Sequence, residues 1–176
     1  MEELKRAIRS IPDFPKEGIV FKDITTLIKD GGLFRKTVDI FAERYRDSGI
    51  EVVVSVEARG FIFGAAIAYA LGAGVIPVRK PGKLPHDTHE AVYELEYGTD
   101  KLEIHRDALP RGSRVLLVDD LLATGGTCAA TVELIERLGG EIVGIAFLIE
   151  LTFLKGREKL KGHDIFSIIE YASEDE

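Results

Sequence analysis

Short apolar runs alternate with stretches of helical spacing along most of this chain. Residues 2–10 have a helical spacing that stops before Ile11-Pro12, since the residue ahead of a proline is pushed out of helical conformation. Residues 13–18 are turn-rich, and Ile19-Val20-Phe21 is a brief extended piece. Helical spacing returns over 33–47, with Leu33, Val38, Phe41 and Tyr45 as candidate core positions. A strand is predicted over 51–56, an apolar helix over 61–71 and a short strand over 75–79. Residues 80–91 lack periodicity and hold two prolines and two histidines, which predicts a mobile loop. Residues 92–97 and 102–105 read as a hairpin around Gly98-Thr99-Asp100. A strand over 115–118, a helix over 128–138 and a strand over 142–149 follow. A weaker helix over 153–160 and a strand over 165–169 close the pattern. Strands alternating with helices predict an α/β fold with a doubly wound, mainly parallel sheet flanked by helices. No repeat, linker or low-complexity tract divides it, so residues 1–176 read as one domain. Ligands of such a sheet bind beyond the carboxyl ends of its strands.

At one such end lies the most specific segment, Val118-Asp119-Asp120-Leu121-Leu122-Ala123-Thr124-Gly125-Gly126-Thr127. A strand, a tight turn and a helix N-terminus together make an anion site. Unpaired N–H groups and the positive end of the helix dipole converge there on a phosphate. Gly125 and Gly126 allow close backbone approach, Ala123 keeps the turn small, and Thr124 and Thr127 add hydroxyl donors. An isolated acidic pair would read as solvated or as a helix cap. Beside a phosphate cradle, Asp119 and Asp120 instead suit a ligand with a diol next to its phosphate. The segment therefore reads as a ribose-phosphate holder. It is not a P-loop, because no lysine follows Gly126, and it lacks the G-x-G-x-x-G of a dinucleotide site.

Composition narrows the classes further. A net charge of −7 argues against a nucleic-acid surface. Within that acidic background Arg79-Lys80-Pro81-Gly82-Lys83 is a basic island, which suits a small polyanion. The absence of any long apolar run or signal-peptide core predicts no membrane partner, and one cysteine fits a reducing, cytoplasmic setting. Cys128 reads as a packed residue. His86 and His89 could suggest a metal pair, but nothing nearby completes a ligand set, so no metal-ligating side chains are assigned.

The Asp-Asp turn resembles the phosphoribosyl pyrophosphate-binding motif of type I phosphoribosyltransferases. Residues 11–25, Glu57-Ala58-Arg59-Gly60-Phe61, residues 78–85 and residues 93–100 extend the resemblance to the adenine phosphoribosyltransferase family, in order from about 8 to 151. That resemblance implies transfer of phosphoribose from phosphoribosyl pyrophosphate to adenine, giving AMP and pyrophosphate with Mg2+ as cofactor. It also implies a homodimer, a small base-binding hood from residues 1–30, and a flexible catalytic loop on the hairpin.

The residue roles that follow are what the resemblance implies. Val20 and Lys22 meet the adenine edge through backbone groups while Phe21 stacks on the ring. Lys22 stands where arginine is usual, and Glu17 where proline is common. Glu57, Ala58, Arg59, Arg79, Lys80 and Lys83 face pyrophosphate, with a cis Glu57-Ala58 bond turning N–H groups toward it. Cations there and carboxylates at the sugar match the charge separation of glycosyl transfer. Strand alternation puts Glu94 and Glu96 on one face and cannot choose between them; the resemblance selects Glu96 as the catalytic residue near the purine. The rival readings are a regulator on the same scaffold and a transferase for another purine. The first lacks a basic DNA-binding module, and the 18–25 segment argues against the second.

Overall fold

In a computed structural model, which describes residues 1–94, 98–174 and 176, five parallel strands form the central sheet. They are β3 (Val52–Val56), β4 (Gly74–Val78), β7 (Arg114–Leu122), β8 (Glu141–Leu151) and β9 (Ile165–Tyr171), in the order β4-β3-β7-β8-β9. Two antiparallel pairs flank it: β1 (Arg9–Ile11) with β2 (Phe21–Asp23), and β5 (Thr88–Glu94) with β6 (Thr99–His105).

Pleating sends alternate strand residues to two cores. On one face Val53, Leu116 and Val118 pack with α1 (Glu2–Ala7), α2 (Thr25–Ile28), α3 (Gly31–Tyr45) and α4 (Gly60–Leu71). On the other, Val54, Val115 and Leu117 meet α5 (Gly126–Leu138) and the β5–β6 hairpin. The strands read as continuous apolar runs because both faces are covered. Asp30 starts α3 by accepting from the N–H groups of Gly32 (2.9 Å) and Leu33 (3.0 Å). Within α3, Val38, Phe41 and Tyr45 are buried as expected, whereas Leu33 is half-buried and Thr37 is fully buried. The Thr37 hydroxyl donates to Leu33 O at 2.9 Å, which makes a threonine tolerable inside.

Four departures from the sequence pattern matter. The first helix stops at Ala7, and residues 9–11 pair with 21–23 instead, closed by the 2.6 Å Arg9–Asp23 ion pair. That pairing, helped by the Thr25 N–H, draws the Asp23 carboxyl down to about 2. Part of the expected 80–91 loop is strand β5, whose polar start is set by its partner β6 rather than by its own periodicity. The expected hairpin end at 95–97 lies outside the described residues. β7 continues through Asp119 and Asp120 to Leu122, because the long β8 runs beside it as far as the Leu122–Glu150 register. Residues 153–160 form no α-helix: 3-10 turns cover Thr152–Leu154 and Gly156–Leu160.

Sequence order places the opening for a ligand. From β3 the chain moves outward to β4, and later returns to β7 on the other side of β3. The loops after β3 and β7 therefore leave adjacent strand ends in opposite directions, and a crevice opens between them. α4 lies directly on β3, because a Cβ at Gly64 would sit 2.5 Å from Ser55 Oγ and 2.6 Å from Ser55 Cβ. Gly64→Ala is expected to cost about 1–3 kcal/mol in chemical denaturation, with part of the loss recovered by Ser55→Gly in the same chain. Wild-type stability in Gly64→Ala would contradict this close approach.

Candidate active site

The β7–α5 junction builds one wall of the crevice. Gly125 caps α5 at φ +80°, a left-handed conformation that suits glycine. It also lies against backbone, since a Cβ there would stand 2.5 Å from Gly156 O. The first residues of the 13-residue α5, 126–128, line the crevice, where an anion site needs a helix N-terminus.

A cleft of about 260 Å³ opens here. Residues 119–128 line it together with Glu57, Ala58, Arg59, Lys80 and Tyr93. The structure thus brings Asp119, Asp120, Ala123, Thr124, Gly125, Gly126 and Thr127 together with the start of the β3–α4 loop. The Glu57-Ala58 peptide bond is cis, as the family resemblance implied. Gly60 lets α4 begin beside the acidic pair, for a Cβ there would fall 2.7 Å from Asp119 Oδ1.

The two aspartates differ in their partners. Asp119 Oδ1 accepts from the Asp120 N–H at 2.9 Å, while Asp120 Oδ2 pairs with Arg59 Nε at 2.8 Å. Burial and then the neighbouring Asp120 charge push the Asp119 carboxyl well above the ordinary carboxylate range. Burial also raises Asp120, against the pull of Arg59. The Arg59 guanidinium stands 5.0 Å over the Phe21 ring, so it joins the acidic pair to the β1–β2 unit.

The basic island separates in space. Only Lys80 of its three cations lines the cleft. Its ammonium donates to Tyr93 Oη (2.7 Å) and to Asp100, and Tyr93 Oη donates to Asp100 at 3.2 Å. Burial works to lower the Lys80 pKa, but these hydrogen bonds outweigh it and the net direction is upward. Arg79 turns to Glu57, with Nε 3.3 Å from Oε1, and the same oxygen accepts the Lys80 N–H at 2.7 Å. Lys83 lies on the following turn, away from the cleft lining.

A second, more apolar cavity of about 560 Å³ adjoins the first, and Thr124 lines both. Ile19, Val20 and Lys22 line it together with Leu151, Phe153 and Leu154, and Glu94 and Glu174 belong to the same lining. Phe21 is not in that lining; its ring packs edge-on against Phe14 at 5.2 Å. The Lys22 ammonium points to Ser10 Oγ (3.1 Å) and the carbonyls of Glu174 and Glu176, 4.3 Å over the Tyr171 ring. Glu96 lies outside the described residues. Leu151, Phe153 and Leu154 escaped the sequence reading; their only signal was an apolar run just past a predicted strand end. Cys128 is buried, and burial followed by the Asp119 charge pushes its thiol far up, which fits a packing role. Among the described residues, no helix is long and apolar enough to cross a membrane.

The phosphoribosyl transferase domain family matches residues 25–173. The chain therefore belongs to the phosphoribosyltransferases. Within them it groups with the adenine phosphoribosyltransferases. The enzyme of that name from Clostridium perfringens is 63% identical over 168 residues, spanning 96% of this chain and 98% of the relative. The crystal structure of the Thermoanaerobacter pseudethanolicus adenine phosphoribosyltransferase superposes with a TM-score of 0.94 at 56% identity, covering 97% and 99% of the two chains. The Saccharomyces cerevisiae enzyme, solved with adenine and an imino-altritol bisphosphate, gives 0.90 at 46% identity over 94% and 96%.

The acidic pair carries a pH signature. With its folded pKa raised, Asp119 keeps a proton that the unfolded chain has already lost, so stability falls as pH rises above about 4. Asp119→Asn is accordingly expected to melt higher than wild type at pH 7 and equally at pH 3.5. Identical melting at both pH values would contradict the buried-acid assignment.

Proposed function

We propose that this protein transfers the 5-phosphoribosyl group of phosphoribosyl pyrophosphate to adenine, forming AMP and releasing pyrophosphate. One observation carries the reading: an anion cradle with two carboxylates and an apolar cavity roomy enough to admit a planar base meet at Thr124. The 5′-phosphate takes the amides and hydroxyls of residues 123–127, and Asp119 and Asp120 accept from the ribose hydroxyls. Leaving pyrophosphate is met by the amides of Ala58 and Arg59 and by the Lys80 ammonium. Glu57 holds the Lys80 amide and the Arg79 side chain in place for that role. Arg59, now on Asp120, is released toward the diphosphate when ribose hydroxyls claim the carboxylate.

Adenine lies between the 19–22 segment and the 151–154 segment. Val20 and Lys22 offer a backbone acceptor and donor that suit its amino group and ring nitrogen. Residues 1–30, in which Lys22 stands on β2 and Val20 directly precedes that strand, act as a hood within one domain. Glu96 manages the proton of the purine ring nitrogen. Mg2+ fits as a companion of the substrate: Asp119 and Asp120 are hard oxygen donors, while no three metal-ligating side chains cluster among the described residues. When bound it neutralises charge on the diphosphate. A buried lone cysteine supports a cytoplasmic setting. Ile62 and the 90% exposed Tyr69, seven residues apart and so on one side of α4, support a homodimer.

The decisive assay supplies protein, Mg2+, phosphoribosyl pyrophosphate and one purine base at a time. AMP from adenine is expected, with hypoxanthine disfavoured on the order of 10⁴ in kcat/KM, because its reversed edge leaves buried groups unpaired. Product from another base alone would reverse the substrate assignment. Glu96→Gln is expected to lower turnover by about 10²-fold or more, far beyond Glu94→Gln; equal losses would remove Glu96 from its role. Light scattering is expected to give twice the mass of one chain, and Tyr69→Asp a single chain. An unchanged mass in that variant would place the contact elsewhere.

A further inference from the structure

The turn over residues 152–160 lines the apolar cavity and packs against the loop that lines the cleft. Its Phe153, Leu154 and Lys159 line the apolar one. Its Gly156 lies backbone against backbone on the phosphate loop. A Cβ on Gly125 would meet Gly156 O at 2.5 Å, and a Cβ on Gly156 would collide with Ala123 O and stand 2.9 Å from Leu122 Cδ1. Any displacement of Gly156 is therefore passed directly to residues 122–125, since close-packed backbone leaves no slack.

The turn is itself held from behind. Glu150, 2% exposed near the end of β8, accepts Arg157 Nε and Nη2 at 2.6 Å each and the Ser167 hydroxyl of β9 at 2.7 Å. Arg157 Nη1 also donates to Ile165 O at 3.2 Å. A two-pronged arginine–carboxylate pair sets angle as well as distance, and here its acid is anchored in the sheet. Lys155, between the two 3-10 turns, is held at φ +54°, which a non-glycine residue keeps only where its surroundings over-determine it. None of Glu150, Arg157 and Ser167 lines either cavity.

We infer that the Glu150–Arg157–Ser167 cluster is a positioning device which, through Gly156, fixes the spacing between the sugar-phosphate loop and the wall of the base cavity. The inference rests on the transferase reading, because only a reaction between two separately held partners needs that spacing. A purine nitrogen and an anomeric carbon must stand about 3–3.5 Å apart to react, and an error of about 1 Å can cost two orders of magnitude. Arg157 and Glu150 are thus positioning residues that act through the loop they brace.

The test compares Arg157→Lys and Gly156→Ala with wild type in kcat, in KM for each substrate and in melting temperature. Lysine keeps the charge and loses the fork; the alanine methyl pushes on Ala123 O. Both variants are expected to lose about tenfold or more in kcat at saturating substrates, with smaller changes in either KM. Arg157→Ala should melt well below Arg157→Lys without a matching further loss in kcat of its folded fraction. A lowered melting temperature with wild-type kcat would overturn the inference, as would an effect on the KM of one substrate alone. Should Gly156→Ala fail to fold, Arg157→Lys decides by itself. A wild-type protein that makes no AMP would instead sink the transferase reading, and that control is read first.

Discussion

The parallel pairing of β3 with β7 is the constraint from which the site follows. Val52 to Ser55 run beside Val115 to Val118, so both strands end at one edge of the sheet. Their continuations must diverge, one into α4 and the other into α5. Each brings a tight turn and a helix start to the same gap. Backbone amides that no helix can satisfy collect there without any special residue to summon them. The glycines then decide how close the walls come: Gly60 admits Asp119, and Gly125 admits the 156 turn.

Into that gap the sequence places two acids, which is electrostatically unfavourable until a ligand or cation answers them. Burial raises both carboxyls, and the Arg59 guanidinium compensates only one. Such unpaired burial is costly and persists where it serves a site. The positive groups are arranged more economically. Glu57 gathers the Arg79 side chain and the Lys80 amide, while Tyr93 and Asp100 orient the Lys80 ammonium. Carboxylates that look misplaced among cations thus work as supports for them.

What local pattern dictates was legible in the chain. The core strands declared themselves as apolar runs, and the Asp-Asp turn carried its own chemistry in consecutive residues. The wall of the cleft at residues 119–128 follows from that segment alone. Features set by distant partners were not legible. β5 begins with Thr88-His89-Glu90, which resembles a strand only once β6 lies beside it. The basic island is contiguous in sequence, yet a strand end and a turn send its side chains apart, so adjacency overstated how many cations reach the cleft. The wall at Leu151, Phe153 and Leu154 depended on a 3-10 turn whose shape comes from Gly156 packing and the Glu150–Arg157 pair. No periodicity encodes either.

Position 22 shows how backbone recognition changes what a side chain is for. When a base is read by main-chain groups, as proposed for Val20 and Lys22, the side chain at 22 need not face the ligand. Here its ammonium bridges Ser10 on β1 and carbonyls near residue 174, over Tyr171 at the end of β9. It ties the β1–β2 pair to the last strand of the sheet, beside the apolar cavity that Val20 and Lys22 line. Arginine could span the same distance with a different fork, so under that proposal the exchange for lysine leaves the main-chain edge in place. On the proposed reading specificity resides in the conformation of residues 19–22, and the Lys22 side chain contributes by its contacts to Ser10 and to the residues about Tyr171.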